Sequence, residues 1–85
     1  MEYKTFNKSR VAEINKDIGQ RVREIRLKRK IRQNELARRV GVKSPQIHKF
    51  ETGDQRISSG MLLAIADAMN TTTEELFPKY DNVRA

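Results

Sequence analysis

Ser44, Gln46 and Lys49 have side chains that can read the edges of nucleic-acid bases, and they lie close together in the segment SPQIHKFET. The amide of Gln46 can serve both N6 and N7 of adenine, Lys49 can donate to guanine O6 or N7, and the hydroxyl of Ser44 pairs with several bases. The same residue types are ordinary on any exposed helix, so their meaning depends on what surrounds them. Pro45 has no hydrogen to donate. It can pack on a thymine methyl or simply start a helix, and the second reading is the simpler one. His48 is the only histidine; a lone histidine on an exposed face is more often plain surface, and nothing else in the chain has metal-ligand spacing. No carboxylate pair, nucleophile with a base, or glycine-rich phosphate loop is present, which argues against an enzyme and points to no cofactor and no small-molecule ligand.

The elements that would position these residues can be read from apolar spacing. Leu36, Ala37 and Val40 form one stripe on Gln33 to Val40, and Ile47 and Phe50 form another on Ser44 to Thr52, both at helical spacing. Only Gly41-Val42-Lys43 separates them. So short a connection needs a residue that tolerates positive φ, and glycine just past a helix end does so without steric cost. The second helix therefore leaves steeply, and the small Ala37 lets it approach. With Ile47, Phe50 and Glu51 turned inward, Pro45, His48, Lys49 and Thr52 point out, flanked by Ser44 and Gln46. Such a crossed pair is a common way to present a helix to the major groove of DNA.

The charge distribution agrees independently. The chain of 85 residues has a net charge of +7, but residues 8–49 hold fourteen Lys or Arg against four acids, net +10, whereas residues 50–85 are net −3. A polyanion binds such a region by releasing condensed counterions, and that affinity falls steeply with salt. A solvated surface is the plainer reading of any one run, such as Lys28-Arg29-Lys30. A basic amphipathic helix can also lie on anionic membranes, but Ile18, Val22, Ile25 and Ile31 are too few to leave an apolar face for lipid. RNA binding is disfavoured, because the five aromatics, Tyr3, Phe6, Phe50, Phe77 and Tyr80, form no stacking platform.

A chain this short is expected to form one domain, to bury about 60–65% of its unfolded surface and to leave no room for a separate effector domain. Cysteine is absent, so a reducing compartment is no constraint. With no signal-like start and no span-length apolar run, a soluble cytoplasmic protein is expected, with no membrane partner. Ile14, Ile18, Val22 and Ile25 make one amphipathic stripe that can cover the two crossed helices. Ser58 or Ser59 can cap a fourth helix in which Met61, Leu62, Leu63, Ile65, Ala66 and Met69 are mostly core, and Asn70 suits its end. Thr71 with Glu74 and Thr72 with Glu75 are overlapping capping-box patterns for a last short helix. The expected fold is all-α. Residues 14–78 are expected to form the domain, with 1–13 a partly disordered N-terminal extension and 79–85 a C-terminal tail.

Taken together, GV…QI.KFE.G, RIS…LLAIADAM and TEELF resemble the Cro and phage-repressor type, or XRE-like, helix-turn-helix family over about residues 18–77. The segments IGQRVREIRLKRKI, QNELARRVGV, SPQIHKFETG, SSGMLLAIADAMN and TTTEELF look like its five helices in order. The resemblance implies a compact five-helix, lambda-repressor-like DNA-binding domain with a helix-turn-helix formed by helices 2 and 3. It departs at Arg32 and Lys43, where the family usually has a Ser or Thr cap. Ser44-Pro45 therefore reads as a cap followed by proline at the first helical position, which would shift the third helix by one residue.

Carried over by position, the resemblance makes Ser44, Pro45, Gln46 and Lys49 the base-contacting residues. Gln33 becomes a backbone contact aided by its helix dipole, and Arg32, Lys43, His48 and Arg56 are further candidates for phosphate. Arg26 and Glu51 are expected to pair and, with Ala37, Gly41 and Ile47, to be structural. Because one helix covers few base pairs, a homodimer is expected on a palindromic operator of double-stranded DNA, with recognition helices about 34 Å apart. Leu76 and Phe77, with Met61 and Tyr80, are candidates for the dimer contact, although Leu76 and Phe77 also fit a role in closing the core. The implied function is a sequence-specific transcriptional regulator, in the first place a repressor, with polymerase as a partner if it activates. The alternative is an antitoxin that binds a toxin protein and regulates its own operon.

Overall fold

Five helices follow one another in a computed structural model that describes residues 6–78: α1 (Lys8–Lys28), α2 (Gln33–Val40), α3 (Ser44–Thr52), α4 (Ser59–Ala68) and α5 (Thr73–Leu76). There is no strand among the described residues. Tyr3, Tyr80 and the tail 79–85 lie outside them. α1 starts at Lys8 because the Asn7 side chain accepts from the Arg10 backbone N–H at 2.8 Å. Residues 8–13, which the apolar stripe leaves in an extension, are therefore helical. A polar cap, and not the first buried aliphatic, sets where this helix begins.

α3 packs against both α1 and α2, α4 packs on α2, and α5 bridges α1 and α4. Val22, Leu36, Ile47, Ile65 and Leu76 are wholly buried where these elements meet. Ile14 and Ile18 sit at the margin, while Val22 and Ile25 carry the α1 stripe into the core. Leu63 departs from the expected α4 core and is 63% exposed. Leu62, Ile65, Ala66 and Met69 already complete the inner face of α4, and Leu63 falls on the other side of the helix.

The last two helices are capped by hydroxyls. Ser58 accepts from the Met61 N–H at 3.2 Å, and Thr72 accepts from the Glu75 N–H at 3.3 Å. Of the two overlapping threonine patterns the chain thus uses the second, and of the two serines the first. Asn70, just past α4, adopts φ 57°, a left-handed conformation that asparagine tolerates.

Lys30 adopts φ 59° in the turn between α1 and α2, without a side chain suited to it. Lys30→Gly is expected to raise stability by about 1 kcal/mol, and the melting temperature by about 4–8 °C. Thermal unfolding followed by circular dichroism checks this, and an unchanged midpoint would mean that the turn carries no such strain.

Candidate nucleic-acid interface

The turn between α2 and α3 is built as its sequence demands. Gly41 has φ 79°, its N–H and that of Val42 both close on the Ala37 carbonyl, and the chain turns within three residues. A Cβ at Gly41 would meet nothing within 4 Å, so the glycine is required by backbone conformation and not by space. Ala37 and Ile47, both buried, lie where the helices cross.

Lys43 is the N-cap of α3, with its carbonyl accepting from the Gln46 N–H at 2.9 Å, and no side chain caps the helix. Ser44 and Pro45 are the first two helical residues. The expected cap at Ser44, and with it the shift of one residue, is therefore incorrect. Proline is tolerated in the first turn because the N–H groups there have no intrahelical partner, so Pro45 does not need the N1 position that was assigned to it. α2 also begins without a side-chain cap, at Arg32, as its sequence implies.

On α3 the inward residues are Ile47, Phe50 and Glu51, while Pro45, His48, Lys49 and Thr52 are exposed and Ser44 and Gln46 are half-buried on the flanks. Lys43 lies exposed at the start of the helix, Arg56 lies exposed in the connection after it, and Arg32 is exposed beside the start of α2. The side chains of Arg32, Lys43, Lys49 and Arg56 make no hydrogen bond or ion pair with any other described residue. These four exposed cations are uncommitted among the described residues.

Other cations are committed, which the charge count alone does not show. Arg21 donates to the Glu75 carbonyl at 2.9 Å and pairs with Glu24 and Glu75. Arg29 donates to the Met69 carbonyl at 3.1 Å, and Arg39 donates to the Ala68 carbonyl at 2.8 Å while pairing with Glu35. Two arginines thus hold carbonyls at the end of α4, where a helix favours positive charge. Part of the basic segment thus stabilises the fold, while further exposed cations, Lys16, Arg23, Lys28, Lys30 and Arg38, lie on α1, α2 and the turn between them.

Behind the face, Arg26 and Glu51 are 5% and 3% exposed, joined by Nε to Oε2 at 2.6 Å and Nη2 to Oε1 at 3.1 Å. Arg26 Nη1 also reaches the Ile31 carbonyl at 2.8 Å. The expected pair is present, and its two-point geometry fixes orientation as well as distance. Gln33 is half-buried, and its side-chain amide donates to Glu51 Oε1 at 2.9 Å.

Two further features bear on the site. Sequence spacing did not single out Gly19, yet a Cβ there would lie 2.1 Å from the Phe50 carbonyl oxygen, so α1 and α3 touch through their backbones. A glycine inside a helical apolar pattern was the available signal. Leu76 is wholly buried, so it closes the core and has no surface to offer a partner, whereas Phe77 is 45% exposed and Met61 is half-buried.

No helix among the described residues is long and apolar enough to cross a membrane. The helix-turn-helix family pattern matches residues 22–76. A protein of Rhodospirillum rubrum described as an uncharacterized transcriptional regulator in the ATPase CF(0) region is 41% identical over 64 residues, which take in 75% of this chain and 59% of that protein. The chain thus spans well under two thirds of that relative's length. The restriction-modification controller protein C.AhdI of Aeromonas hydrophila superposes with a TM-score of 0.74 at 29% identity, covering 78% of this chain and 96% of that one. The P22 c2 repressor, solved in complex with a synthetic operator, superposes with a TM-score of 0.65 at 33% identity, covering 71% and 91%. The chain belongs to the Cro and phage-repressor type of helix-turn-helix family, whose members are DNA-binding transcriptional regulators and not enzymes.

Proposed function

We propose that this domain represses transcription by binding a palindromic operator as a homodimer, with α3 of each copy in the major groove. The observation that carries this reading is the α3 face itself. Ser44, Gln46 and Lys49 stand on the outward side of α3, Lys43 begins that helix, Arg32 precedes α2 and Arg56 follows α3, these three cations have no partner among the described residues, and the helix beneath is held by a two-point ion pair. The likeness to a repressor solved on its operator supports the same docking. Ser44, Gln46 and Lys49 read base edges, Pro45 packs against the groove, and Arg32, Lys43 and Arg56 hold phosphates, with His48 beside them. Phe77, exposed after α5, is the residue of the expected pair that remains able to contact a second copy. Occupation of a promoter by such a dimer excludes polymerase.

Selection of bound duplexes from a random pool, followed by titration against salt, tests the proposal. Two inverted half-sites about one helical turn apart are expected, with affinity falling steeply as salt rises. Recovery of no preferred sequence would overturn it. Lys49→Ala should leave the melting temperature unchanged, because the side chain has no partner among the described residues, while discrimination at one base pair falls by about 1–3 kcal/mol. A variant that discriminates as the parent does would remove Lys49 from the reading set.

A further inference from the structure

Lys16, Gln20 and Arg23 are exposed and recur at i, i+4 and i+7, so they share one face of α1. That face borders α3. The two helices touch through their backbones at Gly19, and a Cβ on Gly53, the C-cap of α3, would lie 3.1 Å from Lys16 Cα. Lys16, Gln20 and Arg23 line a cleft with Glu24, Glu51 and Thr52. Thr52 belongs to the outward side of α3 and is exposed, so the cleft opens beside that side. Its two acids are already engaged, Glu24 with Arg21 and Glu51 with Arg26. Lys16 and Arg23 make no hydrogen bond or ion pair with any other described residue. Gln33, whose amide donates to Glu51, brings the start of α2 to the same flank of α3.

We propose that the contact with DNA extends onto α1, where Lys16 and Arg23 hold phosphates of the strand that runs along this flank of α3. This rests on the DNA-binding reading above and widens its footprint. The major groove is about 12 Å wide, and a helix with its side chains is about 10–12 Å across. A helix that fills the groove therefore has a phosphate wall along each flank and not only at its ends. The seven residues from Lys16 to Arg23 rise about 10.5 Å, and the phosphates of one strand follow about every 3.4 Å along the duplex axis. Two cations so spaced reach separate phosphates while α3 stays on the base edges. Neither contact reads sequence. Lys28 is also exposed and cationic, but it lies about 120–140° round α1 from both and takes no part.

The test is the salt dependence of affinity for the selected operator duplex. It is measured for the parent, Lys16→Gln, Arg23→Gln and, as the control, Lys28→Gln, with thermal unfolding verifying that each is folded at the assay temperature. In the proposed dimer each substitution at Lys16 or Arg23 removes two contacts, one per copy. The slope of log affinity against log salt should become shallower by about 2 for either, and stay at the parent value for Lys28→Gln. The ratio of affinities for the operator and an unrelated duplex of equal length should not change. Parental slopes for Lys16→Gln and Arg23→Gln would overturn the proposal. So would an equal change for Lys28→Gln, which would mark net charge and not placement. A lower melting temperature for Lys16→Gln at a parental slope would overturn it as well, by marking a cation that serves only the dipole of α3. A parent that binds no duplex would instead overturn the DNA-binding function itself.

Discussion

Gly19→Ala is expected to destabilise the domain by about 3 kcal/mol and to lower its melting temperature by about 12–24 °C, as read by circular dichroism. The added Cβ would stand 2.1 Å from the Phe50 carbonyl oxygen and 3.0 Å from that of Glu51. Both are backbone atoms, so no side-chain rotation relieves the clash. Relief requires α1 to lift from α3, which loosens contacts around Val22 and Phe50 and disturbs the bed on which the outward face rests. Such a loss is a large part of the total for a small domain. Gly60→Ala is the control, because a Cβ there meets nothing within 4 Å and the residue lies inside α4. It should stabilise by about 0.5–1 kcal/mol through the unfolded chain. If both substitutions were equally mild, α1 and α3 would not touch at Gly19.

What the sequence makes legible, and what it hides, follows from the range of each interaction. The bounds of α2 and α3 are readable because glycine, a three-residue gap and apolar spacing are all local signals. The outward set on α3 follows from those bounds by rotation about the helix axis. Gly19 gives only a weak signal, a glycine inside a helical apolar pattern, because its neighbours, Phe50 and Glu51, are some thirty residues away in sequence and nothing local names them. Arg29 and Arg39 look like solvated or DNA-facing charge until α4 folds back and places its terminal carbonyls within their reach. Gln33 shows the same limit at the site itself. A family position points it to phosphate, and packing in addition brings Glu51 to the amide, which donates an N–H to it. Leu76 and Phe77 are adjacent and both apolar, and only the path of α5 decides that one is buried and the other exposed.

Glu51→Ala is expected to cost about 3–5 kcal/mol, because it strands the Arg26 guanidinium in a site from which water is excluded. The loss should appear in the melting temperature as well as in affinity for DNA, and equal stability of variant and parent would show that the pair does not form. The cost measures the isolation of Arg26 and not the net worth of the pair, since removing two charges from water offsets most of their attraction. Arg26→Met combined with Glu51→Leu should therefore recover most of the stability. Recovery will be incomplete, because the Ile31 carbonyl and the Gln33 amide both lose a partner. That double variant separates folding from aim. If it melts close to the parent yet discriminates poorly between duplexes, the buried ions serve to orient α3, and an apolar pair of similar volume can hold the helix in place without telling it which way to turn.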